Sequence, residues 1–145
     1  MLAGKENHLI RDALLELADV SEKMENDEKA LDYYKQALTK TNKVSPIADR
    51  IHYHIGNILL KQQQYHQAID ILSYVNNRIH TYNSPTIFQA EVLDKLGLCY
   101  YYLQDNNKAL ELFVQEEDIL NKEPDKYEQE LRDVSYMIFQ LLGKK

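Results

Sequence analysis

Residues 17–37 read LADVSEKMENDEKALDYYKQA. Leu17 and Ala18 end an apolar helical stripe with Leu14 and Ser21. The polar link Glu25-Asn26-Asp27 follows, and then a second stripe runs Ala30-Leu31-Tyr34-Ala37. Apolar residues at i, i+3, i+4 and i+7 make one buried stripe on each of two helices. The short polar link between them folds the second helix back on the first.

The same marks recur along the chain. Small residues inside bulky helical patterns stand at Ala18, Gly56, Gly97 and Ser135, spaced 38, 41 and 38. Twelve residues after each of the first three come Ala30, Ala68 and Ala109. Prolines at 46, 85 and 124 follow the same beat. Ser45-Pro46 and Ser84-Pro85 have the form of a hydroxyl cap followed by a proline in the first helical turn. Pro124 is expected to open a helix likewise, behind the poorer cap Glu123. A small residue in mid-helix lets a neighbouring helix approach closely, which offsets the helix-propensity cost of Gly56 and Gly97.

This pattern predicts an all-α fold, an α-α superhelix of stacked antiparallel helix pairs. The seven helices are expected near residues 6–24, 27–41, 46–62, 65–81, 85–103, 107–121 and 125–142. One domain over residues 1–145 is expected, with repeats at about 11–44, 49–82 and 90–123 and a closing half-repeat at 125–142. A chain of this length buries roughly 68–70% of its unfolded surface.

These residues resemble the tetratricopeptide repeat. That family places an apolar-small pair on helix A, and an alanine, an aromatic and a second alanine on helix B. Leu17-Ala18, Ile55-Gly56, Leu96-Gly97 and Val134-Ser135 match the pair. Ala30, Tyr34 and Ala37 complete the first repeat, Ala68, Leu72 and Val75 a looser second, and Ala109, Phe113 and Glu116 a third without its last alanine. The family period is about 34 residues, so the longer spacing here implies helices or links extended by about a turn. Long repeats are similar to those of bacterial peptide-sensing regulators of the Rap and PlcR type.

Composition narrows the functional classes. Hydrophobic residues make up 44% and charged residues 28%, an ordinary globular balance. A formal net charge of -6 is the wrong sign for gripping phosphates, so no nucleic-acid partner is expected. No apolar run reaches the ~20 residues that span a bilayer, and no membrane partner is expected. With Cys99 as the single cysteine and no apolar leader at the N-terminus, a cytoplasmic setting is the default.

No catalytic constellation stands out, and neither a cofactor nor a metal is expected. His52 and His54 diverge by roughly 200° on a helix, so they cannot chelate as an i, i+4 pair does. No HExxH, CxxC or glycine-rich phosphate loop occurs. Glu116-Glu117-Asp118 and the acidic residues Glu22, Asp27 and Glu28 read as solvent faces. Cys99, between Leu98 and Tyr100, reads as a packed thiol rather than a nucleophile.

The family resemblance implies that helix A of each repeat lines a concave surface. The stripe beside the core then becomes a groove. It contains Asp12, Leu15, Glu16 and Asp19, then Arg50, Tyr53, His54 and Asn57, then Glu91, Asp94, Lys95, Leu98 and Tyr101. Arg50, Tyr53, His54, Asn57, Asp94, Lys95, Leu98 and Tyr101 are the candidate ligand contacts. Asn57 matches the groove asparagine that holds a peptide backbone in this family; a solvated polar residue is the alternative. Leu15 and Asp19 replace the Lys and Asn of the carboxylate clamp in chaperone-binding relatives, with Lys95 a partial match, so chaperone tails are not expected. The expected function is a non-enzymatic module for a protein or peptide with basic or aromatic side chains. The alternatives are the sensing domain of a larger regulator, or a scaffold that self-associates as a homodimer through an open apolar end.

Overall fold

The computed structural model describes residues 2–80 and 86–143, and side chains from residue 4 onward. Seven α-helices occupy the described residues: α1 Leu2–Lys23, α2 Asp27–Thr39, α3 Pro46–Lys61, α4 Tyr65–Ile79, α5 Ile87–Tyr102, α6 Asn106–Leu120 and α7 Glu128–Leu142. There is no strand among them.

Each A-to-B turn is built alike. Glu25, Gln63 and Gln104 adopt left-handed φ of 58°, 62° and 64°. The next amide reaches back five residues, from Asn26 to Ser21, Gln64 to Leu59 and Asp105 to Tyr100, at 2.8 to 2.9 Å. That bond closes the last carbonyls of the first helix. The residue donating it then begins the second helix. Asn26 and Asp105 accept the amides of Lys29 and Lys108 through Oδ1 at 3.2 Å. Gln64 makes no side-chain cap bond.

Ser45 caps α3 as expected: its Oγ accepts the Ala48 amide at 3.2 Å, with Pro46 the first helical residue. The Ser84-Pro85 dipeptide lies outside the described residues, and Thr86 supplies the hydroxyl cap of α5. Pro124 does not open α7. The amides of Lys126 and Tyr127 bond to the Glu123 carbonyl, forming a separate turn, and α7 starts at Glu128. Glu123 lacks the short oxygen that would hold a helical start there.

The chain forms two compact units, with the border inside α3 after Ile58. In the first unit α1 packs on α2. The repeat marks Ala18, Ala30 and Ala37 are each 0% exposed, beside buried Tyr34, Ile51 and Ile55. In the second unit α5 packs between α4 and α6, and α7 covers α6. Ala68, Ala109 and Phe113 are fully buried. At Gly97 a Cβ would lie 2.6 Å from Cε1 of Phe113, so only glycine permits this approach of α5 to α6.

Ser135 keeps the register but not the expected burial. It is exposed on α7, and its Oγ donates to Glu117 Oε2 at 2.8 Å. Tyr136, Phe139 and Leu142 are also exposed on this helix. In the preceding repeat the equivalent position is covered by the B-helix that follows; among the described residues no helix follows α7.

Candidate functional site

Within the first unit, Leu15 and Asp19 of α1, Tyr34 of α2, and Ile47, Arg50, Ile51 and His54 of α3 line a cavity of about 330 Å³. That size suits one or two side chains of a ligand. Leu15, Ile47 and Ile51 give it an apolar lining. Asp19 and Arg50 place opposite charges on its border.

A polar linkage ties the three helices together. The Tyr34 hydroxyl donates to Glu22 Oε1 at 2.5 Å, and His54 Nδ1 lies 3.3 Å from the same oxygen. The Tyr34 and His54 rings stack with centroids 5.1 Å apart and planes within 7°. Burial, then the bond to Glu22, then the charges of Glu22 and Asp19 hold the Tyr34 hydroxyl well above the usual phenol range. It therefore stays a donor throughout the working pH range. This linkage holds the imidazole flat against the phenol and presents it to the cavity.

Arg50 and His54, two of the candidate contacts, line this cavity together with Leu15 and Asp19 of the first-repeat stripe. Tyr53 does not line this cavity. It is 9% exposed, and its ring meets His54 edge-on. Asn57 is half-buried on α3 and does not line the cavity. Tyr34, read from the sequence as packing, is both packing and lining. Ile47 and Ile51 carry no sequence signal beyond apolar character. Glu22, expected on a solvent face, is instead held between Tyr34 and His54.

The second unit holds the other predicted contacts. Lys95 Nζ lies 3.4 Å from Asp94 Oδ2, both side chains partly exposed. Leu98 packs against the hydrophobic cluster around Phe113. Tyr101 lines an open depression with Tyr102, Gln104 and Asn106. Here Tyr102 stacks on Tyr65 at 5.4 Å and meets Tyr101 edge-on at 5.5 Å. Tyr102 remains half-exposed beside these ring contacts.

The Glu116-Glu117-Asp118 run is not a uniform solvent face. Glu116 is 5% exposed, Glu117 accepts the Ser135 hydroxyl, and Asp118 alone is exposed. Glu116 could have been found in the sequence, since it stands in register with Ala37 and Val75 at spacings of 38 and 41. Cys99 is buried, and burial pushes its thiol up to about 11. A thiol so poorly ionised is a weak nucleophile near neutral pH. Among the described residues no group of three or more His, Cys, Asp or Glu side chains could hold a metal ion, and no helix is long and apolar enough to cross a membrane.

Family models described as tetratricopeptide repeat match residues 13–45, 49–73 and 91–115. The fold is similar to several solved structures. The N-terminal domain of stress-induced protein-1 (STI-1) from C. elegans is 12% identical with a TM-score of 0.61, over 87% of this chain and 97% of that one. The first TPR domain of the human RPAP3 protein is 14% identical with a TM-score of 0.63, over 94% and 98%. MamA from Desulfovibrio magneticus RS-1, residue 41 to the end, is 19% identical with a TM-score of 0.63, over 92% and 74%. No curated protein matches the chain.

Proposed function

The chain belongs to the tetratricopeptide repeat family of protein-interaction modules, and from that premise we propose that it seats a peptide segment of a partner protein in the cavity between α1, α2 and α3. The observation that carries this reading is the Tyr34–His54–Glu22 linkage beside an apolar lining. Stacked rings that are already ordered offer flat contact at little entropic cost on binding. Leu15, Ile47 and Ile51 suit an apolar or aromatic anchor, and Asp19 and Arg50 suit the polar groups flanking it. The module is non-enzymatic in this reading, takes no cofactor, and works in the cytoplasm.

Peptides selected from a random display library on the whole chain test the proposal. Ile47 and Arg50 are exposed, so Ile47→Asp and Arg50→Glu change the cavity without entering the core. Selected peptides should bind each variant at least roughly tenfold more weakly, as loss of an interface anchor requires. Unchanged affinity in both variants would place the binding surface elsewhere.

A second reading, self-association, rests on the exposed apolar residues of α7, with Ser135 uncovered where a helix packs in the preceding repeat. Sedimentation over a wide concentration range distinguishes it from a monomeric binder. Phe139→Glu should abolish any dimer observed.

A further inference from the structure

Two apolar helix faces lie open to water, one on α1 and one on α7. On α1, Leu9, Ala13, Leu17, Val20 and Met24 are all exposed. At about 100° per residue their spacing sets them within roughly 80° of one another, as a single stripe. On α7, Tyr136, Phe139 and Leu142 form the second face, at 61%, 72% and 51% exposure.

Register shows what the α1 stripe is built to meet. Ala13, Leu17 and Val20 correspond to Ile51, Ile55 and Ile58 of α3 at a spacing of 38, and these to Val92, Leu96 and Cys99 of α5 at 41. The α3 and α5 residues are all buried, none more than 4% exposed, whereas Leu17 and Val20 are 47% and 52% exposed. On α7 the register mate of Leu17 is Val134, which is buried in one cluster with Phe113 and Leu120 of α6. On α5 the preceding helix α4 packs likewise. This stripe is therefore the seat of a helix from the adjoining pair, and an end helix that closes a stack carries a polar outer face instead. On α7 the opposite neighbour is the one missing. Ser135 stands exposed in the register of Ala18 and Gly97, where α2 and α6 pack closely, and among the described residues no helix follows α7.

We propose that α7 of one copy of this chain docks on the α1 stripe of the next, so that the open faces cover each other head to tail. The proposal deepens the reading of the chain as self-associating and rests on it. A second copy is the occupant because one molecule carries both halves of the contact. On α7 the exposed side chains are bulky; on α1 the small Ala13 stands between Leu9 and Leu17. A ring seated on a small residue of a neighbouring helix is the contact that Phe113 and Gly97 make inside the chain. Seven large side chains, each about half exposed or more, give roughly 100 Å² apiece, which with their flanks puts the contact near the low end of specific interfaces, about 1,000 Å². The association is accordingly weak. Because the two faces differ, it is heterologous and does not close at two copies.

Sedimentation of the whole chain from roughly 10 μM to roughly 1 mM tests the pairing. The native mass should grow with concentration past that of a dimer. Val20→Glu spoils the α1 face and Phe139→Glu the α7 face, both at exposed positions, and unchanged circular dichroism shows that each variant folds. Each alone should associate at least roughly tenfold more weakly than the native chain. Mixed in equal amounts, they retain one intact pair of faces and should form a heterodimer that grows no further. Self-association of Val20→Glu at native strength would overturn the head-to-tail pairing and leave self-association through α7 standing. A mixture no more associated than its components, beside a native chain that does associate, would overturn the pairing too. A native chain that stays monomeric throughout would remove self-association itself, and the first-unit cavity would be unaffected.

Discussion

Gly97→Ala tests the close approach of α5 to α6 most directly. On an open helix surface the change stabilises by about 1 kcal/mol, because alanine is the better helix former. At position 97 the new Cβ would meet Phe113 at 2.6 Å from Cε1 and at 2.9 Å from both Cδ1 and Cζ. Carbon atoms settle at about 3.5–4.0 Å, so the ring must retreat by roughly 1 Å. Phe113 is fully buried in a cluster with Ala90, Ala109, Leu120 and Val134, so its ring has no solvent to move into. Overpacking of this kind costs about 1–3 kcal/mol. Set against the propensity gain, the upper part of that range leaves a net loss of about 1–2 kcal/mol. Urea unfolding followed by circular dichroism reads it as a lower midpoint at unchanged slope. Gly4→Ala is the control, since nothing lies within 4 Å of a Cβ there; it should be neutral or slightly stabilising. Phe113→Leu should be less damaging in the Gly97→Ala background than in the native chain, a coupling of at least about 0.5 kcal/mol. A stabilised Gly97→Ala would refute the argument that the glycine is there for the ring.

Three further outcomes follow from the local chemistry. Gln64→Asp should stabilise by about 1 kcal/mol in the same urea assay, because it gives α4 the cap that Asn26 and Asp105 give α2 and α6. Tyr34→Phe should cost about 1–2 kcal/mol, the worth of a part-buried hydrogen bond to a carboxylate, and should widen the His54 ring resonances as the linkage to Glu22 loosens. Native Glu116 keeps its proton up to about 9 against an ordinary 4.5, so between those values the unfolded chain binds fewer protons than the native one. Its contribution to stability is therefore fully present below about 4.5 and declines as pH rises toward 9. Asp94, also raised by burial, acts in the same direction. Denaturation midpoints measured across that window should fall with pH, and Glu116→Gln should flatten the fall.

The architecture was legible because its marks are steric. Ala18, Ala30, Ala68 and Ala109 repeat where helices touch, and all four are 0% exposed. Helix limits were off by a few residues because capping decides them. Pro124 marks the approach to α7, but a turn through Glu123 delays the helix. Only part of the cavity lining was legible in the sequence. Arg50 and His54 lie one stripe from the core and reach the cavity. Tyr53 lies on the same stripe and does not line it; its ring is buried and meets His54 edge-on. Periodicity gives the face of a helix, and a long side chain chooses its direction afterwards.

Glu22 and Glu116 expose a more general reason. Amphipathic patterns are strongest for the seam between the two helices of a pair, and charges off that seam read as solvent-facing. A helix within a repeat array has a second neighbour, supplied by the next pair. Glu22 meets that neighbour as His54 of α3, and Glu116 is buried although Asp94 and Asp133 bring further negative charge to it. Read as part of a charge run, Glu116 belongs outside. Read in register with Ala37 and Val75, it belongs inside, and it is buried. Register along the whole chain therefore carries information that a single-helix window lacks. A charged residue at a position otherwise apolar in register is the place to look for function, because packing alone gives no reason to keep it.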